Sequence, residues 1–192
     1  MRIGIFGGSF DPIHHGHLLA AATLGEALQL DEVRLVVAAR QPLKTNGHGA
    51  APEHRAAMVD LAVCGGGRLT PSRVEIGRPG LSYTVDTLRA FRAEREDAEL
   101  VLLLGADAAQ ELPRWHEAAA IRELARIEIF ARGGEGGAHP VPRVDISSTD
   151  IRARVRLGRP IRYWVPDAVA EYIAANRLYR EADNSGLKNR DA

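Results

Sequence analysis

The chain has 192 residues, equal numbers of acidic and basic side chains and 45% hydrophobic residues, which favours one domain with an apolar core. The balanced charge argues against a nucleic-acid-binding or membrane-surface protein, and the single cysteine rules out an internal disulfide. No stretch approaches the roughly 20 apolar residues of a membrane span, and no signal peptide is recognisable. We therefore expect a cytoplasmic protein that binds neither nucleic acid nor membrane. Its oligomeric state is left open, a homo-oligomer included.

Short apolar runs alternate with helical patterns along the chain. Strands are predicted at residues 2–6, 33–38, 99–104 and 126–131, with extended pieces at 68–76 and 143–146. Helices are predicted at residues 17–28, from 52 onward, at 82–94, from about 148 and at 167–175. The alternation predicts an α/β fold: a Rossmann-like doubly wound parallel sheet with helices on both faces and a small helical C-terminal segment.

One domain is predicted over residues 1–180, with a C-terminal helical part that covers about 147–180. The polar residues 181–192 show no periodicity and are expected to form a disordered tail. The segment 133–142 is rich in glycine and proline, which predicts a mobile loop.

The helix that begins near Pro52 carries an expectation about the thiol. Ala57, Leu61 and Cys64 follow Pro52 at helical spacing, and the neighbours of Cys64 are apolar. We therefore expect Cys64 to be buried.

The corner between the first strand and the first helix, GGSFDPIHHGH, combines two features of a phosphate site. Gly7 and Gly8 end a strand at the edge where open α/β sheets bind ligands, and glycines let a phosphate approach the backbone. His14 and His17 are three residues apart at a helix start, so both can face one point and donate to a phosphate. A tight turn, a metal pair and a capping or packing role are the other interpretations. His15 points elsewhere and is expected at the surface or in packing.

A second segment, ISSTDIR at residues 146–152, predicts the start of a helix. Ser147 or Ser148 can cap the helix, and Ser147 with Asp150 fits the spacing of a capping box. Hydroxyl groups and free N–H groups at a helix start also form an anion site, to which Arg152 can add charge. The residues alone leave capping and anion binding both open.

The two segments together resemble the nucleotidylyltransferase superfamily. GGSFDPIHHGH is similar to its signature, whose H-x-G-H core is His14-His15-Gly16-His17, and ISSTDIR is similar to its C-terminal I-S-S-T-x-I-R motif. LSYTVDTL at 81–88 and LLGADAAQELPRWHE at 103–117 resemble stretches of the bacterial nicotinate-nucleotide adenylyltransferases. The resemblance extends from Met1 to about Tyr179.

The resemblance implies an adenylyltransferase of NAD biosynthesis, which transfers AMP from ATP to nicotinate mononucleotide and releases pyrophosphate. The phosphate of the mononucleotide is already ionised, so it can attack the ATP α-phosphorus directly and in line, without a general base. Mg²⁺ is the implied cofactor, held mainly by substrate phosphates and water, and no protein metal site is predicted.

The resemblance also implies roles for individual residues. The implied catalytic residues are His14, His17, Lys44 and Arg152. The implied ATP-binding residues are Gly7, Gly8, Ser9, Phe10, His14, His17, Gly105, Asp107, Ser148, Thr149 and Arg152. The implied mononucleotide-binding residues are Ser9, Lys44, Tyr83, Thr84 and Trp115. The polar neighbours of Trp115 predict a partly exposed ring that can stack on a pyridine.

One segment departs from the family pattern. The family often has P-P-H-K where this chain has Gln41, Pro42, Leu43 and Lys44, so the lysine is retained and the histidine contact is lost.

Three alternative functions stay open. One is a sibling transferase that uses nicotinamide mononucleotide, pantetheine phosphate, or glycerol phosphate with CTP. Another is a non-catalytic nucleotide sensor. The third is a dinucleotide dehydrogenase, although the G-x-G-x-x-G fingerprint is missing.

Overall fold

The computed structural model describes residues 1–41, 49–132 and 139–180. Its strands are β1 (Arg2–Gly8), β2 (Glu32–Val37), β3 (Leu69–Ser72), β4 (Glu99–Gly105), β5 (Arg126–Arg132) and β6 (His139–Val141). They form one parallel sheet in the order β3-β2-β1-β4-β5-β6. The helices are α1 (His15–Ala27), α2 (Pro52–Ala62), α3 (Thr84–Glu94), α4 (Ala106–Glu111), α5 (Ala118–Leu124), α6 (Ser148–Arg156) and α7 (Asp167–Ala175).

The helices cover both faces of the sheet, which confirms the predicted fold class. On one face, α1 and α2 pack on the sheet, and α6 and α7 join the same apolar cluster, whose members include Leu24, Met58 and Ile151. On the other face, α3 and α5 contribute residues such as Leu88 and Ile121. Strands that are covered on both faces must be apolar along their whole length, which explains the continuous runs in the sequence.

The order of the strands reverses between β1 and β4. The chain moves outward from β1 to β2 and β3, then returns to place β4 on the other side of β1. Open α/β sheets bind ligands at such a switch point, outside the carboxyl ends of the strands. The residues that follow β1 and β4 are therefore the candidates for a ligand-binding site.

The buried face of α2 includes a charged residue that the sequence did not mark. Ala56, Met58 and Val59 are buried, together with the guanidinium-bearing Arg55, and Leu61 packs against the same core. The expectation for Cys64 is wrong, because its side chain is exposed. The helix ends at Ala62, and Cys64 follows in a turn beyond the buried face.

Other differences concern short elements. Residues 139–141 form the edge strand β6 within the predicted mobile loop, and the extended piece at 143–146 forms no strand. The helices α4 and α5 and a 3₁₀ turn at Leu112–Arg114 were not predicted. Residues 133–138 and the predicted tail 181–192 lie outside the described residues. Within the described ranges, every helix is too short or too polar to span a membrane.

Candidate active site

A cavity of about 590 Å³ opens at the switch point between β1 and β4. Its volume lies in the range of sites for small molecules. The cavity brings together six of the residues that the sequence singled out: Gly7, Gly8, Tyr83, Thr84, Gly105 and Trp115. Its walls come from the ends of β1 and β4, the start of α3 and the segment around Trp115.

The two glycines at the end of β1 serve different purposes. A Cβ on Gly8 would lie 2.9 Å from Cζ of Phe10, so a side chain there would displace the buried ring. A Cβ on Gly7 would meet no atom within 4 Å. Gly7 is exposed and leaves its backbone open to a ligand that enters the cavity.

His14 and His17 form a stacked pair at the start of α1. Their ring centroids are 3.6 Å apart and the planes differ by 22°. His14 is only 2% exposed, and the Phe10 ring packs edge-on against His17 at 5.1 Å. The three-residue spacing at a helix start therefore brings the two imidazoles together, as predicted. His15 is exposed, in agreement with its expected place at the surface.

Asp11 fixes the turn between β1 and α1. Its carboxylate is 1% exposed and accepts hydrogen bonds from the backbone N–H of Gly49 at 2.6 Å and of Ala50 at 3.1 Å. The hydroxyl of Tyr179 donates to the same carboxylate at 2.9 Å. Burial and the neighbouring Asp11 charge raise the pKa of Tyr179 above its ordinary value, so the phenol stays a donor. Asp11 thus holds three segments together.

Arg55 joins the exits of two neighbouring strands. Its buried guanidinium donates to the carbonyl oxygens of Ser9 at 2.6 Å, Ala50 at 3.1 Å and Ala39 at 3.2 Å. Burial lowers the pKa of Arg55 from its ordinary value, although nearby charges such as that of Asp11 oppose the shift. Satisfied donors make a buried cation tolerable. Arg55 thereby fixes the backbone that follows β1 and β2.

The start of α6 is fastened to the same turn. Ser147 is the N-cap, and its Oγ accepts from the backbone N–H of Asp150 at 3.1 Å, which confirms the predicted cap. The hydroxyl of Ser148 donates to the carbonyl oxygen of Pro12 at 2.8 Å. Arg152 donates through Nη1 to the carbonyl oxygen of Asp11 at 2.7 Å and through Nη2 to Oγ1 of Thr149 at 3.3 Å. The two motif segments are therefore in direct contact.

Three of the remaining predicted residues, Ser9, Phe10 and Asp107, are described by the structure and are not among the residues that line the cavity. The hydroxyl of Ser9 donates to Oε1 of Gln41 at 2.7 Å. Phe10 is 1% exposed, so its side chain supports Gly8 and His17 from the core instead of facing the solvent. Asp107 is exposed in the first turn of α4. Lys44 lies outside the described residues.

The aromatic end of the cavity matches the expectation for Trp115. The indole is half-buried and lines the cavity. Beside it, the rings of Tyr83 and His116 are 4.4 Å apart and inclined by 36°. An apolar ring system with polar edges suits a flat heteroaromatic ligand.

Polar groups that the sequence did not reveal lie in the wall of the cavity. Glu75 is 8% exposed, and its Oε1 accepts from the hydroxyl of Thr87 at 2.7 Å. Burial raises the pKa of Glu75, while hydrogen bonds from Thr87 and Ser82 oppose this shift. No local signal marks Glu75 in the sequence, because its partners come from another element.

The described residues contain no group of three or more His, Cys, Asp or Glu side chains that could hold a metal ion. Asp11 lies near the histidine pair, but its carboxylate is committed to three hydrogen-bond donors. The side chains that lie at this turn and at the start of α6 are imidazole, hydroxyl and guanidinium groups.

Comparison with known proteins agrees with this arrangement. Residues 5–154 match the cytidylyltransferase-like family. A probable nicotinate-nucleotide adenylyltransferase from Roseiflexus sp. is 47% identical over 93% of this chain and 98% of its own length. One from Thermus thermophilus is 50% identical over 94% of this chain and 100% of its own length.

A solved structure shares the fold. The nicotinic acid mononucleotide adenylyltransferase of Plasmodium falciparum, complexed with NaAD, superposes with a TM-score of 0.71 at 17% identity over 93% of this chain and 97% of that chain. The chain belongs to the cytidylyltransferase-like nucleotidyltransferases, and within them to the nicotinate-nucleotide adenylyltransferases of NAD biosynthesis.

Proposed function

We propose that the chain joins ATP and nicotinate mononucleotide to give nicotinate adenine dinucleotide and pyrophosphate. The observation that carries this proposal is the juxtaposition of two different environments at one switch point. An aromatic cavity lies on one side of Gly7 and Gly8, and a stacked histidine pair lies beyond them at the start of α1. The first suits a pyridine ring, and the second suits phosphates.

The mononucleotide occupies the cavity in this proposal. Trp115 stacks on the pyridine ring, while Tyr83 and Thr84 contact it from the start of α3. These three residues line the same cavity, which supports a common ligand. Ser9 and Lys44 are assigned to the mononucleotide phosphate.

ATP binds along the turn after β1 and the start of α6. The residues assigned to ATP are Gly7, Gly8, Ser9, Phe10, His14, His17, Gly105, Asp107, Ser148, Thr149 and Arg152. Phe10 contributes through its backbone, since its side chain is buried. The contact between Arg152 and the turn after β1 supports this division, because it places a guanidinium against the turn that precedes the histidine pair.

The reaction needs positioning and charge neutralisation instead of a nucleophile and base. An oxygen of the mononucleotide phosphate attacks the α-phosphorus of ATP, and the bond to the β-phosphate bridging oxygen breaks, which releases pyrophosphate. His14 and His17 donate to the phosphates around the reacting phosphorus, and Lys44 and Arg152 neutralise the triphosphate. Holding two polyanions in line in this way accounts for a large part of such rate accelerations.

Mg²⁺ fits this site as a substrate-bound ion. The described residues offer no cluster of carboxylates, and Asp11 is committed to hydrogen bonds. A hard cation that keeps its waters and binds phosphate oxygens needs no such cluster. When bound, Mg²⁺ supplies charge neutralisation on the phosphates.

The proposal is tested by product analysis. Purified protein is incubated with ATP, Mg²⁺ and nicotinate mononucleotide, and the products are separated and then identified and quantified by mass spectrometry. Nicotinate adenine dinucleotide and pyrophosphate are expected in equal amounts. ATP alone should leave no adenylyl group on the protein. A protein that carries an adenylyl group would contradict direct attack. Binding of ATP without any product would indicate a non-catalytic nucleotide sensor.

A further inference from the structure

We propose that Glu75 is a positioning residue that holds the start of α3, and with it Tyr83 and Thr84, in place for the mononucleotide. The inference rests on the proposed function, because it takes the cavity as the mononucleotide site. Glu75 lies in the turn after β3, and its side chain is buried in the wall of the cavity.

Two hydroxyl groups connect Glu75 to the start of α3. Thr87 donates to Oε1 at 2.7 Å, and the Ser82 hydroxyl lies close enough to the same carboxylate to stabilise its charged form. These two residues flank Tyr83 and Thr84 in the chain, and all four line the cavity. The carboxylate therefore holds the segment at both of its ends.

The same network extends to the exit of β2. The Oγ of Ser82 accepts from the backbone N–H groups of Ala39 at 3.0 Å and Arg40 at 3.2 Å. Because both lone pairs of this hydroxyl are engaged, its hydrogen points to an acceptor, and Glu75 provides one. An amide at position 75 could accept from Thr87 with its oxygen, but its NH₂ group could not accept from Ser82.

The arrangement predicts a selective effect on one substrate. Loss of the Thr87 bond, or of the interaction with Ser82, lets the start of α3 shift within the cavity wall. The contacts assigned to ATP come from the turn after β1, from Gly105 and Asp107 and from α6, whereas the hydrogen bond of Glu75 goes to Thr87 of α3. The KM for the mononucleotide should therefore rise while the KM for ATP stays near its original value.

The experiment compares Glu75→Gln and Thr87→Val with Thr87→Ser, which keeps the hydroxyl, and with Glu128→Gln. Glu128, on β5, is a matched control, since it is also 8% exposed and its carboxylate forms a hydrogen bond of 2.8 Å with the side chain of His139. Steady-state pyrophosphate release gives KM and kcat for each substrate, and thermal unfolding reports the fold. We expect Glu75→Gln and Thr87→Val to raise the mononucleotide KM about tenfold, with the ATP KM within about twofold. Thr87→Ser and Glu128→Gln should stay near the wild type.

The inference fails if the folded Glu75→Gln and Thr87→Val proteins keep the wild-type mononucleotide KM, or if both substrates lose affinity equally. An inactive wild-type protein would instead contradict the proposed function, so the two failures are distinguishable.

Discussion

Arg152 and Asp11 join the two sequence motifs of the candidate site. The Arg152 guanidinium donates to the carbonyl oxygen of Asp11 at 2.7 Å, and the Asp11 carboxylate lies 3.8 Å from the same nitrogen. The bond spans 141 positions in the sequence. It leaves a partly exposed cation beside the turn that precedes the histidine pair. The C-terminal motif and the N-terminal signature are therefore held together.

Replacement of this guanidinium tests its assigned charge. Arg152→Ala should lower kcat/KM for ATP by about 100-fold, because a donor to developing phosphate charge is lost. Steady-state kinetics with varied ATP measures the effect. Arg156→Ala, an exposed arginine at the other end of α6, is the matched control and should stay near the wild type. Equal kinetics for the two variants would remove Arg152 from the ATP site.

The histidine pair is tested by His17→Ala. We expect kcat to fall by about 100- to 1000-fold, since one donor near the reacting phosphorus disappears. His17 is only half-buried, so thermal unfolding should confirm that the fold is retained. His15→Ala changes an exposed histidine of the same helix and should leave kcat unchanged. A folded His17→Ala protein with nearly wild-type kcat would exclude the assigned role.

Trp115 provides a test of pyridine stacking. Trp115→Phe keeps an aromatic face, whereas Trp115→Ala removes it. Loss of a stacking partner costs about 1 kcal/mol, so Trp115→Ala should raise the mononucleotide KM about five- to tenfold while Trp115→Phe has a smaller effect. The ATP KM serves as the internal control. If Trp115→Ala raised both KM values alike, the ring would have a structural role only.

The buried Glu75 predicts a particular pH dependence of stability. Burial raises its pKa above the ordinary value of 4.5, while Thr87, Ser82, Arg78 and Arg55 oppose the shift. A group whose pKa is raised in the folded state contributes stability at low pH and loses it as pH rises through the folded pKa. The thermal stability of the wild type relative to Glu75→Gln should therefore decline as pH increases above about 4.5 and then level off.

Thermal unfolding of both proteins between pH 4 and pH 8 measures this difference. Glu128→Gln, measured over the same range, controls for the removal of a buried carboxylate elsewhere. A wild-type stability that rises relative to Glu75→Gln with increasing pH would contradict the raised pKa.

The parallel sheet and the phosphate end of the site are predictable from local sequence. Continuous apolar runs mark strands that are buried on both faces, and the spacing of His14 and His17 brings their rings together. The cap at Ser147 also follows from a local pattern. In each case, the signal and the structure that it specifies lie within a few residues of each other.

Other features depend on contacts between distant segments. Glu75 meets Thr87 across 12 positions, and Arg55 meets the carbonyl of Ser9 across 46. No local pattern shows that a charged residue will be buried among carbonyl groups, and for this reason the sequence does not reveal Arg55 in the buried face of α2. Cys64 is exposed because α2 ends two residues earlier, which apolar neighbours do not reveal.

The most direct test of the central claim is the initial rate of pyrophosphate release with ATP and Mg²⁺. Nicotinate mononucleotide, its amide and pantetheine phosphate are compared as acceptors at equal concentrations. We expect the fastest release with nicotinate mononucleotide and none with pantetheine phosphate. Two results would contradict the assignment of the aromatic cavity to a pyridine nucleotide. One is release with pantetheine phosphate but with neither pyridine nucleotide, and the other is no release with any of the three acceptors.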